Sequence, residues 1–298
     1  MGEIMTTLAA AKGKTIQSFA RRPEPQRVLM CPPTYFDIID VKNSFMQDNV
    51  GQVDHKAAAR QWQTLQATFA QLGKTLVTLD AVPGLEDMVF TANQAMVGCD
   101  ANGQPYAVMA NMRYPSRRRE VPYFQAWFEQ EGYQIITLAS PELFFEGHGD
   151  AIWHPDRQLL WGGYGQRTAY ETYPQIHAQL QIPIVTLALV DPRFYHLDTC
   201  FCPLDEETVM LYAPAFDAAG LALIHHFFPR VIEIPTRDAS SCFAANAVVL
   251  DHKQVVIQAG AKETIDLLTA AGFLITTVDT QEFIKSGGSA FCLKMLVY

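Results

Sequence analysis

No apolar run in this 298-residue chain approaches the roughly 20 residues that a membrane-spanning helix needs. The first residues also lack the long apolar stretch that directs secretion. The sequence therefore reads as a cytoplasmic protein without a membrane partner. Positive charge is in short supply: 22 Lys and Arg stand against 31 Asp and Glu, a net charge of −9. That balance disfavours nucleic acid and anionic membrane surfaces, and it suits a cationic small molecule. Cysteine is sparse as well. Six are scattered through the chain, too few and too irregular for a disulfide framework. Cys200-Phe201-Cys202 has the wrong spacing for zinc and no second pair completes a site, so no metal is expected. His225-His226 lacks acidic partners at ligand spacing and reads as a helix-end feature. There is no Ser/Gly-rich linker or charge run to split the chain, which favours one domain over 27–298 behind an N-terminal arm over 1–26. Met1-Gly2 fits a loose myristoylation pattern that recurs by accident in many chains. Nothing in the composition opposes a homo-oligomer.

What is abundant is apolar surface, 49% of residues, arranged in a recurring plan. Asp54 caps a helical stretch through Leu72, with Gly73 as its stop. Trp62, Leu65 and Phe69 fall on one face of it. The strand 76–79 follows, then a Pro83-Gly84 turn, the apolar 88–90, the polar Thr91-Ala92-Asn93 and the strand 95–97. The plan returns with helices near 118–129, 169–180, 218–227 and 263–270. They precede strands at 134–138, 184–187, 231–234 and 274–278. Polar motifs thus recur about every 45–55 residues, the signature of a repeat architecture. Five units fit the chain. The first strand, 28–31, has no preceding helix, and the last, 293–297, has no following one. Pairing these two would close a ring, remove open sheet edges and bring equivalent turns to one pocket.

Chemistry concentrates in those turns. Cys292 follows Ser286-Gly287-Gly288-Ser289 and is a candidate nucleophile. A lone Cys is more often a small hydrophobe, but this one has candidate partners. His196 would stabilise a thiolate and move protons. Glu146 and Asp198 sit between apolar flanks, Leu143-Phe144-Phe145 and Phe194-Tyr195. A carboxylate in such a place needs a cation or hydrogen-bond donors, and a planar guanidinium offers both. The competing reading for each is a structural acid paired with a protein Arg.

Cys292, the His196-Leu197-Asp198 segment and Glu146-Gly147-His148-Gly149-Asp150 together resemble the guanidine-modifying superfamily of arginine deiminases, dimethylarginine dimethylaminohydrolases, amidinotransferases and arginine dihydrolases. The likeness runs from Val28 to Tyr298. It implies an α/β fold, a five-bladed α/β propeller (pentein) with pseudo-fivefold repeats, and a covalent amidino-thioether on Cys292 formed without a cofactor. His196 becomes the general acid/base, and Glu146 a guanidinium ligand that assists proton transfer. Asp198, Asp87 and Asn93 would grip the guanidinium. Arg113 and Arg167 would hold a substrate carboxylate, which disfavours agmatine. Asn43 and Met46 after Cys31-Pro32-Pro33 resemble the dihydrolase pattern. So do Asn93, where deiminases typically carry Asp, and an acidic residue two after the His. The resemblance therefore implies hydrolysis of arginine to ornithine, ammonia and carbon dioxide. A dimethylarginine hydrolase, a deiminase, an amidinotransferase and a silent arginine-binding scaffold remain as alternatives. The chain departs from the pattern at Ser44, often Pro, and at Lys294, often a small hydroxyl residue.

Overall fold

Asp54 sets the first long helix: its carboxylate accepts the Ala57 N–H at 2.9 Å, satisfying a donor that a helix start leaves free. The helix runs His55–Gln71, and Gly73, at φ +81°, turns the chain out of it. Trp62, Leu65 and Phe69 are buried against Val28, Met30, Val256 and Val278. Burying a side chain such as Leu65 contributes about 1.5–3 kcal/mol. The computed structural model describes residues 3–140 and 142–298. Gly2, and with it the acylation pattern, lies outside the described residues.

The other helices form where the apolar spacing predicts, Ala218–Phe227 at the expected bounds and others with shifted starts. The expected 118–129 helix is two pieces, Pro115–Arg118 and Val121–Gln130. Pro122 explains the break, because it has no N–H to donate and fits a first turn but not an interior. The helix expected from 169 begins at Thr172, and the strand expected to 138 ends at Ile136. The apolar Met88 and Val89 lie in a turn. The helix Thr236–Cys242 has no apolar period to announce it; Asp238 anchors it by accepting the Thr264 N–H at 2.9 Å.

The described strands form five sheets with one shared pattern, an antiparallel pair followed by a parallel third strand. One consists of Ala95–Cys99, Pro105–Met109 and Gln134–Ile136. The next has Ala151–Trp153, Leu160–Tyr164 and Ile184–Ala188. The third has Phe201–Pro203, Thr208–Leu211 and Arg230–Glu233, and the fourth Val248–Leu250, Gln254–Gln258 and Leu274–Val278. The fifth joins distant parts of the chain. Met295–Val297 pairs antiparallel with Arg27–Met30, which pairs parallel with Thr75–Thr78. The parallel step needs a long crossover, and the helices supply it.

The N-terminal arm is packed. Ile4–Met5 adds a parallel strand beside Ile184–Ala188, and Met5, Ala11, Ile16 and Phe19 are buried. All six cysteines are buried free thiols.

Candidate active site

Tight, buried turns lead into the first strand of each antiparallel pair, and they carry the chemistry. Thr91–Gln94 delivers Asn93, Gly147–Gly149 follows Glu146, and Leu197–Thr199 follows His196. Asn246 stands two residues before Val248–Leu250, and Cys292 three before Met295–Val297. Gly147 holds its turn at φ +54°. A Cβ there would lie 2.6 Å from the Ala95 carbonyl, so only glycine fits.

These turns meet at a small cavity of about 20 Å³. Asn43, Asp87, Asn93, Arg167, His196 and Cys292 line it, together with Lys42, Arg117 and Tyr195. Glu146 lies behind His196 and does not line it. Its Oε2 accepts from His196 Nε2 at 2.8 Å and from Arg167 Nη1 at 2.9 Å. Its Oε1 accepts from the Arg113 backbone N–H at 3.0 Å. Both oxygens thus accept from the protein, and the carboxylate is placed to orient His196. Asn93 Nδ2 lies 3.5 Å from His196 Nδ1. With Nε2–H donating to Glu146, Nδ1 is the basic nitrogen.

Cys292 donates to Asp198 Oδ2 at 3.2 Å and accepts from Asn246 Nδ2 at 3.2 Å. Asn246 Oδ1 in turn accepts the backbone N–H groups of Cys292 and Ser289. Asn246 is therefore the positioning residue that sequence reasoning missed; Ala244-Ala245-Asn246 stood at the equivalent turn of its unit, the one signal available. Asp198 Oδ1 and both oxygens of Asp87 are buried with no hydrogen-bond donor among the described residues. Asp87 Oδ2 has the Lys42 ammonium at 3.2 Å and Arg117 Nε at 4.0 Å, ion pairs without hydrogen-bond geometry. Lys42 also pairs with Glu86 and Asp40.

The expected Arg pair forms differently. Arg113 is exposed and turns away, its Nη1 donating to the Gln166 carbonyl at 2.8 Å. Arg167 is buried in the site, with Tyr114 and Tyr195 rings each 4.7 Å from its guanidinium carbon. Its buried neighbour is Arg117, which donates to Asn93 Oδ1 at 3.1 Å and to Glu120. In the sequence Arg117 was one of three consecutive arginines, and nothing distinguished the buried one. Asn43 lines the cavity while bonding the Ser286 carbonyl at 3.0 Å. Lys294 points elsewhere and is absent from the lining.

Electrostatics set the resting state. Burial alone would raise the Glu146 pKa, but Arg167 and the His196 hydrogen bond outweigh it and hold the carboxyl well below its usual range. Burial pushes the Cys292 thiol well above 9, and the Asp198 charge adds to this. Burial also lifts Asp198 to about 7, against the opposing pull of the Cys292 hydrogen bond and the Lys294 charge. Both causes favour the thiol over the thiolate. Asp198 has a thermodynamic signature. The folded protein keeps its proton to about pH 7, whereas an unfolded aspartate loses it near pH 4. The native state binds the extra proton across that window, so this group's contribution to stability falls as pH rises through it. Asp198→Asn is expected to raise the melting temperature at pH 8 by at least about 3 °C, with a smaller gain at pH 5. A lower melting temperature at pH 8 would contradict this.

A buried thiol, an imidazole backed by a carboxylate, and acidic oxygens left without donors are the parts of a thiol-dependent hydrolase of guanidino groups. Comparison with known proteins agrees. The family model described as N,N dimethylarginine dimethylhydrolase, eukaryotic, matches residues 32–297, and the chain belongs to that family, within the guanidino-modifying pentein superfamily. It is 37% identical over 277 residues to the bifunctional arginine dihydrolase/ornithine cyclodeaminase ArgZ of Synechocystis sp., covering 91% of this chain but 37% of that protein. It is 35% identical over 294 residues to the N(G),N(G)-dimethylarginine dimethylaminohydrolase of Mycobacterium tuberculosis, covering 99% and 93%. The substrate-bound N-terminal domain of an ArgZ cysteine-to-serine mutant superposes with a TM-score of 0.85 at 36% identity, covering 91% and 97%.

Proposed function

We propose that this chain is an arginine dihydrolase, converting arginine and two waters to ornithine, carbon dioxide and two ammonia. The observation that carries the reading is the pair of donor-less Asp87 oxygens in the lining that Asp87 shares with Cys292, with Asp198 Oδ1, also without a donor, just outside that lining on the carboxylate that holds the Cys292 thiol. Buried acceptors without donors are costly, and a guanidinium supplies five N–H groups and a positive charge in one plane. The same charge lowers the cost of ionising Cys292. The reading is thus of a thiol activated by its own substrate. Lys42 must leave Asp87 for this to happen, because a cavity of about 20 Å³ holds roughly one water.

In the proposed sequence the Cys292 sulfur bonds to the guanidinium carbon and its proton passes to His196. His196 returns that proton to a departing nitrogen, which leaves as ammonia. Water, deprotonated at His196 Nδ1, then attacks the amidino-thioether and the second ammonia leaves, giving a thiocarbamate on Cys292; a second water attacks its carbonyl, the C–S bond breaks to return the thiol, and the freed carbamate splits into carbon dioxide and ornithine. Asn93 beside Nδ1 favours this over the single hydrolysis of a deiminase, and the dihydrolase relative supports it. Arg117 and Arg167 are the candidates to face a substrate carboxylate, in place of Arg113 and Arg167. The five like sheets, the shared sheet of the first and last long-range strands, and the convergence of turns from all five support a five-bladed propeller around this cavity. They also support one catalytic domain over 27–298 carrying the arm.

The second reading is a dimethylarginine dimethylaminohydrolase, favoured by the near full-length match to the mycobacterial enzyme. One assay separates the two: incubate the protein with arginine, dimethylarginine, citrulline or agmatine and weigh the products. Ornithine with two ammonia per arginine is expected. Citrulline as end product would make it a deiminase, and dimethylamine release the methylarginine enzyme.

A further inference from the structure

A second cavity, of about 120 Å³, lies against the segment that carries Cys292. Its lining includes Arg22, His148, Trp153, Phe201, Phe291 and Lys294. None of these residues lines the catalytic cavity. Lys294 is 3% exposed. Its ammonium sits 3.4 Å from the centroid of the Phe291 ring. Among the described residues it makes no hydrogen bond and has no carboxylate within 4.0 Å. Arg22 is 7% exposed, and its Nε is buried without an acceptor. Its other nitrogens hold Glu24 at 2.6 Å and Tyr298 Oη at 2.7 Å.

The acids near this cavity are already engaged. Glu24 takes the Arg22 guanidinium and the Asp156 backbone N–H. Asp156 takes His252 at 3.1 Å and Arg21 at 3.4 Å. His148 accepts the Val97 N–H at 3.1 Å and donates to the Ala151 carbonyl. Burial depresses its pKa to about 3, so it brings no positive charge. Asp198 acts on Lys294 only at longer range, and burial leaves the ammonium with a pKa of about 8. An unpaired, buried ammonium beside a void is an expensive arrangement, and an anion entering the void removes the cost. The walls decide what kind of anion. They are mostly aromatic and aliphatic, and one uncompensated cation matches one negative charge.

We propose that this cavity binds a small monocarboxylate with an apolar body, its charged end paired with Lys294 and its body against Trp153, Phe201 and Phe291. Arg22 Nε is the second donor that the cavity offers. The site explains why a lysine stands where the superfamily often has a small hydroxyl residue.

Benzoate is the probe, titrated calorimetrically into the full chain, with inorganic phosphate in parallel. Benzoate is expected to bind the wild type, Lys294→Met to weaken it at least tenfold, and Arg22→Gln to weaken it less. Ligand-free Lys294→Met should melt no lower than wild type, since it loses an unpaired charge. A wild-type crystal soaked in benzoate gives an independent answer if the variant does not fold, with the carboxylate expected about 3 Å from Lys294 Nζ. Absent benzoate binding, binding that survives Lys294→Met, density elsewhere, or a preference for phosphate would each overturn the proposal.

Discussion

Cys292→Ala is expected to lower ammonia release from arginine by at least about 10⁴-fold, because Cys292 is the one thiol among the residues lining the cavity. The substitution removes one buried sulfur and leaves the backbone of its turn tied to Asn246 through Ser289 N–H. The fold and the acidic oxygens that would bind a guanidinium remain. The variant should therefore still bind arginine while failing to turn it over, a split that calorimetry and an ammonia assay read separately. Wild-type protein quenched in acid during turnover should carry on Cys292, by mass, one arginine less one ammonia. Undiminished ammonia from the alanine variant would end the thiol mechanism.

The second large effect is at Glu146. Glu146→Gln keeps the volume but removes the charge that faces both Arg167 and His196 at hydrogen-bond distance. Arg167, 6% exposed, is then left as an uncompensated buried cation, and breaking such a pair costs about 3–5 kcal/mol. The imidazole also faces a neutral amide in place of the anionic acceptor that stabilises its protonated form, so turnover should fall by about 10²–10⁴-fold. The two losses separate with pH. Because the Glu146 pKa is depressed in the fold, its stabilisation is complete above the unfolded value near 4 and is lost as pH falls below it. The gap in denaturation midpoint between wild type and Glu146→Gln should thus be full at pH 7 and shrink from about pH 4 downward. Wild-type stability and turnover in the variant would refute the role.

The sequence carried the repeat and its elements because both depend on local signals, such as the Asp54 cap and the spacing of Trp62, Leu65 and Phe69. Pairing of the first and last strands could be argued because open edges are costly. It could not reveal which way a long side chain turns. Arg113 and Arg117 lie four residues apart in one basic stretch. Only the path of the Pro115–Arg118 turn sends one out to solvent and the other into the site. Glu146 was recognised as a site residue, yet its rank behind His196 is a matter of depth, which a one-dimensional pattern does not hold. Asn246 was hidden because its partners are 43 to 48 residues away. Lys294 was flagged as a departure, and the cavity it faces exists only once Trp153 and Phe201 pack beside it.

The sheet that joins Arg27–Met30 to Met295–Val297 also fixes an order of events at the ribosome. Thr75–Thr78 is available to pair with the first strand early, but its other neighbour is synthesised tens of seconds later at about 5–20 residues per second. For that interval the first strand presents a bare hydrogen-bonding edge, the kind that recruits other chains. The segment that covers it also delivers Cys292. A nascent chain therefore stays sticky and without its nucleophile until one late docking event ends both conditions.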